Sequence, residues 1–161
     1  MRMLLLLVML FLPTLARAEC ADAPAPGVDW GRCFLDGRDF KDADLTGVKM
    51  RGAQFMRADF TGAKLAKVEA TRAKFNATKI VGADFSGARL QETDFSNTDG
   101  ERVSFKGADL RTAKFIDADL KGADFTGAQV RDTDFFRADL SGARWLDGKK
   151  ICAPGSIGSC Q

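Results

Sequence analysis

From Leu35 to Trp145 a large apolar side chain returns at every fifth position, through 23 quintets with no insertion and no slip of phase. The series opens with Leu35, Phe40, Leu45, Met50, Phe55 and Phe60, closes with Phe125, Val130, Phe135, Leu140 and Trp145, and fails only at Ala70 and Gly100. A period of five matches neither the period of about 3.6 of an α-helix nor the period of about 2 of a strand, so the chain must bend at fixed intervals. Two residues before each centre stands a small side chain, mostly Ala, with Val or Thr at most other rungs; the residue just before the centre is usually charged, most often Asp. After the centre comes a polar residue and then often Gly, as at Gly47, Gly62, Gly82, Gly107 and Gly122. That is turn chemistry, so each quintet reads as a short extended piece and one corner. The glycines are corners in phase with the repeat, and no phosphate-binding loop is read from them.

Segments such as Ala118-Asp119-Leu120-Lys121-Gly122 and Ala123-Asp124-Phe125-Thr126-Gly127 resemble the pentapeptide-repeat family, and the resemblance extends over residues 33–147. It implies an all-β fold: a right-handed quadrilateral β-helix, a solenoid with four quintets per coil, the centre and the small residue inside and the other three positions outside. Residues 20 apart should then stack and share a character. One column reads Phe55, Phe75, Phe95, Phe115, Phe135, and the column two faces away reads Leu45, Leu65, Phe85, Phe105, Phe125, Trp145. The other two walls are leaner, with Met50, Ala70, Leu90, Leu110, Val130 opposite Phe40, Phe60, Ile80, Gly100, Leu120, Leu140. At the strand spacing of about 4.8 Å the array makes about six coils and a rod of about 28 Å. Ala70 and Gly100 are expected to be local soft spots.

The N-terminus carries Arg2, the apolar run Met3 to Leu12, Pro13 and the small-residue site Ala16-Arg17-Ala18, the layout of a secretory signal peptide. The run is too short to span a bilayer, which takes about 20 residues. Lipidation of Cys20 would call for a small residue before it, and that residue is Glu19. Residues 1–18 are therefore read as a signal peptide, 19–34 as an N-terminal cap segment, 35–147 as the β-helix and 148–161 as a C-terminal cap segment. The expected location is periplasmic or extracellular, with no membrane attachment once the signal is removed.

Open-ended solenoids need covered ends. Cys20 and Cys33 precede the array, and Cys152 and Cys160 follow it. Of the three pairings that four cysteines allow, the length of the array between Cys33 and Cys152 favours Cys20 with Cys33 and Cys152 with Cys160, and export permits both. A zinc site is disfavoured, because the chain has no His and no C-x-x-C pair.

Removal of Arg2 and Arg17 leaves 22 basic residues against 22 acidic, so the mature chain is formally neutral and no nucleic-acid partner is expected. Some proteins of the resembled family bind type II topoisomerases as acidic DNA-like rods; neutrality and export both argue against that role here. The column Asp39, Asp59, Asp99, Asp119, Asp139, broken by Lys79, is the one candidate for cation binding or acid–base chemistry, against the plainer reading of a solvated face neutralised by Lys41 and Lys121. With no His and no Tyr and with the cysteines paired, nucleophilic catalysis lacks its usual parts, and no cofactor is expected. What remains is a scaffold that binds another protein, or itself, through an outer wall. The residues after one set of Phe centres are Met56, Asn76, Ser96, Ile116 and Phe136, flanked by Arg57 and Arg137. This column is the candidate interaction face, set against scattered surface hydrophobes, which are common.

Overall fold

The computed structural model describes residues 20–161. The signal-peptide segment, residues 1–18, and Glu19 lie outside the described residues. The rest is a right-handed quadrilateral β-helix in which every extended piece pairs in parallel with the piece 20 residues away, from Asp29 with Lys49 up to Asp124 with Arg144. No transmembrane-length apolar helix is present among the described residues.

One rung shows how the backbone is satisfied. The Phe95 amide donates up to the Lys114 carbonyl at 2.7 Å, the Asp94 amide donates down to the Ala73 carbonyl at 3.0 Å, and the Thr98 amide closes the corner on the Phe95 carbonyl at 3.3 Å. The Asn97 amide, at the corner itself, donates up to Ile116 at 2.8 Å. Repetition of this scheme leaves the buried peptide groups of the coils paired, as a narrow dry core demands. The four faces are named here by the inward centres of one coil, in chain order Leu110, Phe115, Leu120 and Phe125.

Inside, the coil spacing brings identical rings into register. Phe55, Phe75, Phe95, Phe115 and Phe135 stack with centroids 5.0 to 5.3 Å apart, and Phe95 and Phe115 are within 3° of parallel. Across the core the Phe85, Phe105 and Phe125 stack meets them edge-on, at 85° for Phe85 with Phe95 and 88° for Phe125 with Phe135. Offset stacking along the rod and edge-to-face contact across it are both favoured aromatic geometries. Where Thr replaces Ala at the small inward position, its hydroxyl finds a carbonyl: Thr93 Oγ1 donates to Ala70 and Thr98 Oγ1 to Phe75, each at 2.9 Å.

Two expectations change. Gly100 leaves no void: it is buried, and a Cβ added there would lie 3.1 Å from Leu120 Cδ2, 3.2 Å from the Asp119 carbonyl and 3.4 Å from Ile80 Cδ1. Its neighbours in the column have filled the space its missing side chain would take. Ala70 is likewise fully buried. The ladder also begins earlier than residue 35, because Trp30 occupies an inward centre and packs on Phe40 and Phe55, so part of the stretch assigned to the N-terminal cap is already coil. The Trp30 indole N–H is the one buried side-chain polar atom without a partner among the described residues.

At the corners that follow the centres from Trp30 to Leu140, the second residue after the centre stands at positive φ, as in a type II turn. Gly fills this place at Gly62 and Gly122, but 13 non-glycine residues also adopt it, including β-branched Thr112 at φ 58°. A left-handed non-glycine residue costs about 1 to 2 kcal/mol. The aspartate before the centre supports the turn by accepting from the amide two residues on, and often from a Ser or Thr hydroxyl there. Asp59 takes the Thr61 amide at 3.0 Å and its hydroxyl at 2.6 Å; Asp124 does the same with Thr126 at 2.9 and 2.6 Å. The frequency of Asp and of Ser or Thr in the repeat thus has a structural cause.

These contacts set acid–base behaviour. At Asp44 the hydrogen bonds from the Thr46 hydroxyl and amide hold the carboxyl below its ordinary value. At Asp59, Asp124 and Asp139 partial burial pushes the carboxyl up, but the hydroxyl and amide bonds together with a Lys outweigh it and hold the group below its ordinary value.

Two outcomes are expected. Thr112→Gly should stabilise the protein by about 1 kcal/mol in a denaturant titration, since it relieves a left-handed β-branched residue without removing a core contact. Carboxylates depressed in the folded state stabilise it fully above their unfolded value of about 3.9 and progressively less as pH falls through their folded values. Melting temperature should therefore be level from neutral pH to about pH 5 and fall steeply below about pH 4; a melt unchanged down to pH 2 would contradict the turn-support role.

Candidate interaction surface

The outer side chains stand in vertical columns set by the ladder. The candidate column is the corner between the Phe115 and Leu120 faces and reads Asp36, Met56, Asn76, Ser96, Ile116, Phe136 upward. The structure brings Ile116 and Phe136 together as successive corners, joined by the Asp117 amide donating to the Phe136 carbonyl at 3.0 Å. Phe136 is 60 % exposed and Ile116 half-buried. The Arg137 guanidinium lies 5.1 Å from the centre of the Phe136 ring and makes two bonds of 2.6 Å to the Asp117 carboxylate. That pair holds the Asp117 carboxyl below its ordinary value and raises Arg137. An Arg fixed at both ends restrains the ring beside it.

Met56 and Arg57 do not join this cluster. They lie three coils below Ile116, with Asn76 and Ser96 between, and line a shallow groove with Asp36 and Gly37. The Asp36 carboxylate accepts the Met56 amide at 2.7 Å. The expected face is thus two apolar points on one edge, separated by a polar waist. Sequence reading missed three further exposed hydrophobes: Phe34 at 72 %, and Ile151 and Ile157 at 50 % each. Phe34 stands in the outward place before a centre, which a strict reading of the quintet would have revealed.

Four of the five aspartates of the column, Asp39, Asp59, Asp119 and Asp139, have side-chain partners. Lys41 lies 3.4 Å from Asp59, and Lys121 bridges Asp119 at 2.8 Å and Asp139 at 3.3 Å. Asp39 and Asp119 each accept the amide two residues on, at 3.0 and 3.1 Å. Among the described residues no group of three or more His, Cys, Asp or Glu side chains is arranged to hold a metal ion.

Both ends carry a disulfide, Cys20–Cys33 and Cys152–Cys160. The first ties the chain to the lowest coil. The second ties a returning segment whose Ile151 and Ile157 pair antiparallel with Arg144 and Asp139.

Comparison with known proteins gives the family. The family profile described as a pentapeptide repeat region matches residues 68–145, and that described as pentapeptide repeats (8 copies) matches residues 39–76. No curated protein matches the chain. Among solved structures it is similar to HetL, a pentapeptide repeat protein involved in heterocyst differentiation regulation in the cyanobacterium Nostoc, at 25 % identity and TM-score 0.49; the match covers 80 % of this chain and 66 % of HetL, slightly less than two thirds. A pentapeptide repeat protein of the Arabidopsis thaliana thylakoid lumen gives 24 % identity and TM-score 0.47, covering 78 % of this chain and 81 % of that one. The plasmid-mediated fluoroquinolone resistance protein QnrB1 gives 22 % and 0.42, covering 73 % and 72 %. With the unbroken fivefold repeat and the 20-residue ladder, the two family-profile matches show that the chain belongs to the pentapeptide-repeat family.

Proposed function

We propose that this protein is an exported, non-catalytic scaffold that binds another protein along the corner carrying Met56, Arg57, Ile116, Phe136 and Arg137. The observation that carries the reading is the Phe136 ring, exposed yet held by an Arg137 that is itself anchored on Asp117. A large aromatic already fixed in place loses little conformational freedom on docking, and such residues dominate binding energy at protein interfaces. Export is supported by the signal-like N-terminus and by two disulfides that use all four cysteines, which suits an oxidising compartment. The absence of a catalytic role is supported by the composition and by the use already found for most of the acids: turn amides and lysines occupy four of the five carboxylates that were the best catalytic candidates.

Fractionation and end-group analysis of the expressed protein test export: the mature chain should begin at Glu19 and be absent from the cytosol, and a cytosolic chain retaining Met1 would contradict it. Affinity capture from the exported fraction tests the face. Ile116→Ser with Phe136→Ser should reduce recovery of a wild-type partner at least about tenfold, the loss expected when an aromatic anchor worth about 2 kcal/mol is removed. Equal recovery with both substitutions would sink the assignment of this corner.

A further inference from the structure

The carboxylate that supports a corner is missing on two successive coils of the Leu110 face. At the corner after Trp30, Asp29 accepts the outward amide of Gly31 at 2.9 Å. One coil up Lys49 stands in the place of Asp29, and two coils up Glu69, whose carboxylate accepts instead from Arg89 at 3.2 Å. The amides of Arg51 and Thr71, which an aspartate would have met from outside, have no acceptor among the described residues. Beside them runs an open groove lined by Arg32, Lys49, Arg51 and Arg72. Gly52 opens it: an added Cβ there would find only Arg32 Cγ, at 3.9 Å, so no side chain fills the corner column between Arg32 below and Arg72 above. Arg72 is held by Glu92 through bonds of 2.9 and 3.2 Å. Arg32, Lys49 and Arg51 have no carboxylate partner among the described residues.

We propose that this groove binds a phosphate group, as inorganic phosphate or as the phosphomonoester of a larger ligand. Like charges on adjacent coils repel one another, and an anion seated among them removes that repulsion. Guanidinium groups match phosphate oxygens in paired hydrogen bonds, and bonds to a charged oxygen are about twice as strong as neutral ones. Coils are about 4.8 Å apart, so the Arg51 and Thr71 amides reach two oxygens of one tetrahedral ion. Three cations and two amides offer more donors than a single carboxylate can accept, and they suit the nearly double charge of a phosphomonoester at neutral pH. The two acids at the rim do not oppose it, because Asp29 is engaged by the Gly31 amide and Glu69 by Arg89. The groove is open to water, which leaves room for the rest of an ester and sets the expected dissociation constant at about 0.1 to 1 mM.

The groove lies away from the corner assigned to protein binding, and the substitutions that test it leave Met56, Ile116 and Phe136 untouched. Titration of the mature, disulfide-intact protein with inorganic phosphate at low salt should show saturable binding. In amide NMR spectra the Arg51 and Thr71 signals should move with phosphate, while those of Lys41 and Lys121, already bonded to aspartates, should not. Arg32→Gln and Arg51→Gln should each weaken binding at least about tenfold. Lys49→Asp restores the turn acceptor and puts a carboxylate in the groove; it should abolish binding while the melt without phosphate stays level or rises, which separates loss of the site from loss of the fold. Lys79→Gln removes the same charge from the opposite face and should leave binding unchanged. Vesicles of phosphatidylcholine with phosphatidic acid distinguish the source: capture that Arg51→Gln abolishes assigns the site to a lipid headgroup, and no capture assigns it to a soluble phosphate. Absence of saturable binding up to about 10 mM phosphate, amide shifts confined to other corners, indifference to both arginine substitutions, or an equal loss in Lys79→Gln would each overturn the proposal.

Discussion

Everything in this molecule depends on one bond repeated: the amide of an inward residue donating to the carbonyl 19 residues further on. It fixes the distance between coils near the strand spacing of about 4.8 Å, and that distance sets the rest. Rings 20 residues apart are held about where flat aromatic groups attract one another, and the Phe55 to Phe135 stack follows at 5.0 to 5.3 Å. Outward side chains are placed directly above one another, so a charge on one coil meets the charge on the next. Arg72 reaches Glu92 and Arg137 reaches Asp117 by this route.

The same bond explains why the repeat consumes so many residues that would elsewhere suggest chemistry. A chain that must turn after every short extended piece needs a left-handed residue, an inward side chain small enough for the corner, and something to hold the exposed turn amide. Gly, Ala and Asp meet those needs in turn. The carboxylates that line the rod are therefore first of all turn supports, and the lysines between them are their counter-ions.

Much of this was legible in the sequence because the period is its own evidence. The centres follow from residue identities alone, and the stacking columns and two opposed aromatic walls follow once the family resemblance supplies four quintets per coil. Three features were not. Trp30 belongs to the first coil, yet the stretch before Leu35 breaks the Ala-Asp pattern and reads as a plug. Gly100 looks like a hole, but whether a missing side chain leaves a void depends on how far Ile80 and Leu120 reach, which no pattern records. The returning C-terminal segment depends on the chain reversing between Asp147 and Lys150 and pairing antiparallel, and a parallel repeat gives no hint of that reversal. Of the interaction residues, the column was legible; the separation of Met56 from Ile116 and Phe136, and the locking of Phe136 by Arg137 and Asp117, required side-chain geometry.

The central claim is that the structural unit is the coil of 20 residues and not the quintet of five. It is tested most directly by comparing two deletions in denaturant titrations of disulfide-intact protein. Removing residues 81–100 takes out one whole coil and leaves every column in register. Removing residues 96–100 takes out one quintet, keeps the fivefold phase, and sets Leu120 in place of Phe115 on the Phe95 stack. The account predicts that the larger deletion folds cooperatively with a modest loss of stability and that the smaller one loses more. Equal or better tolerance of the five-residue deletion would contradict it.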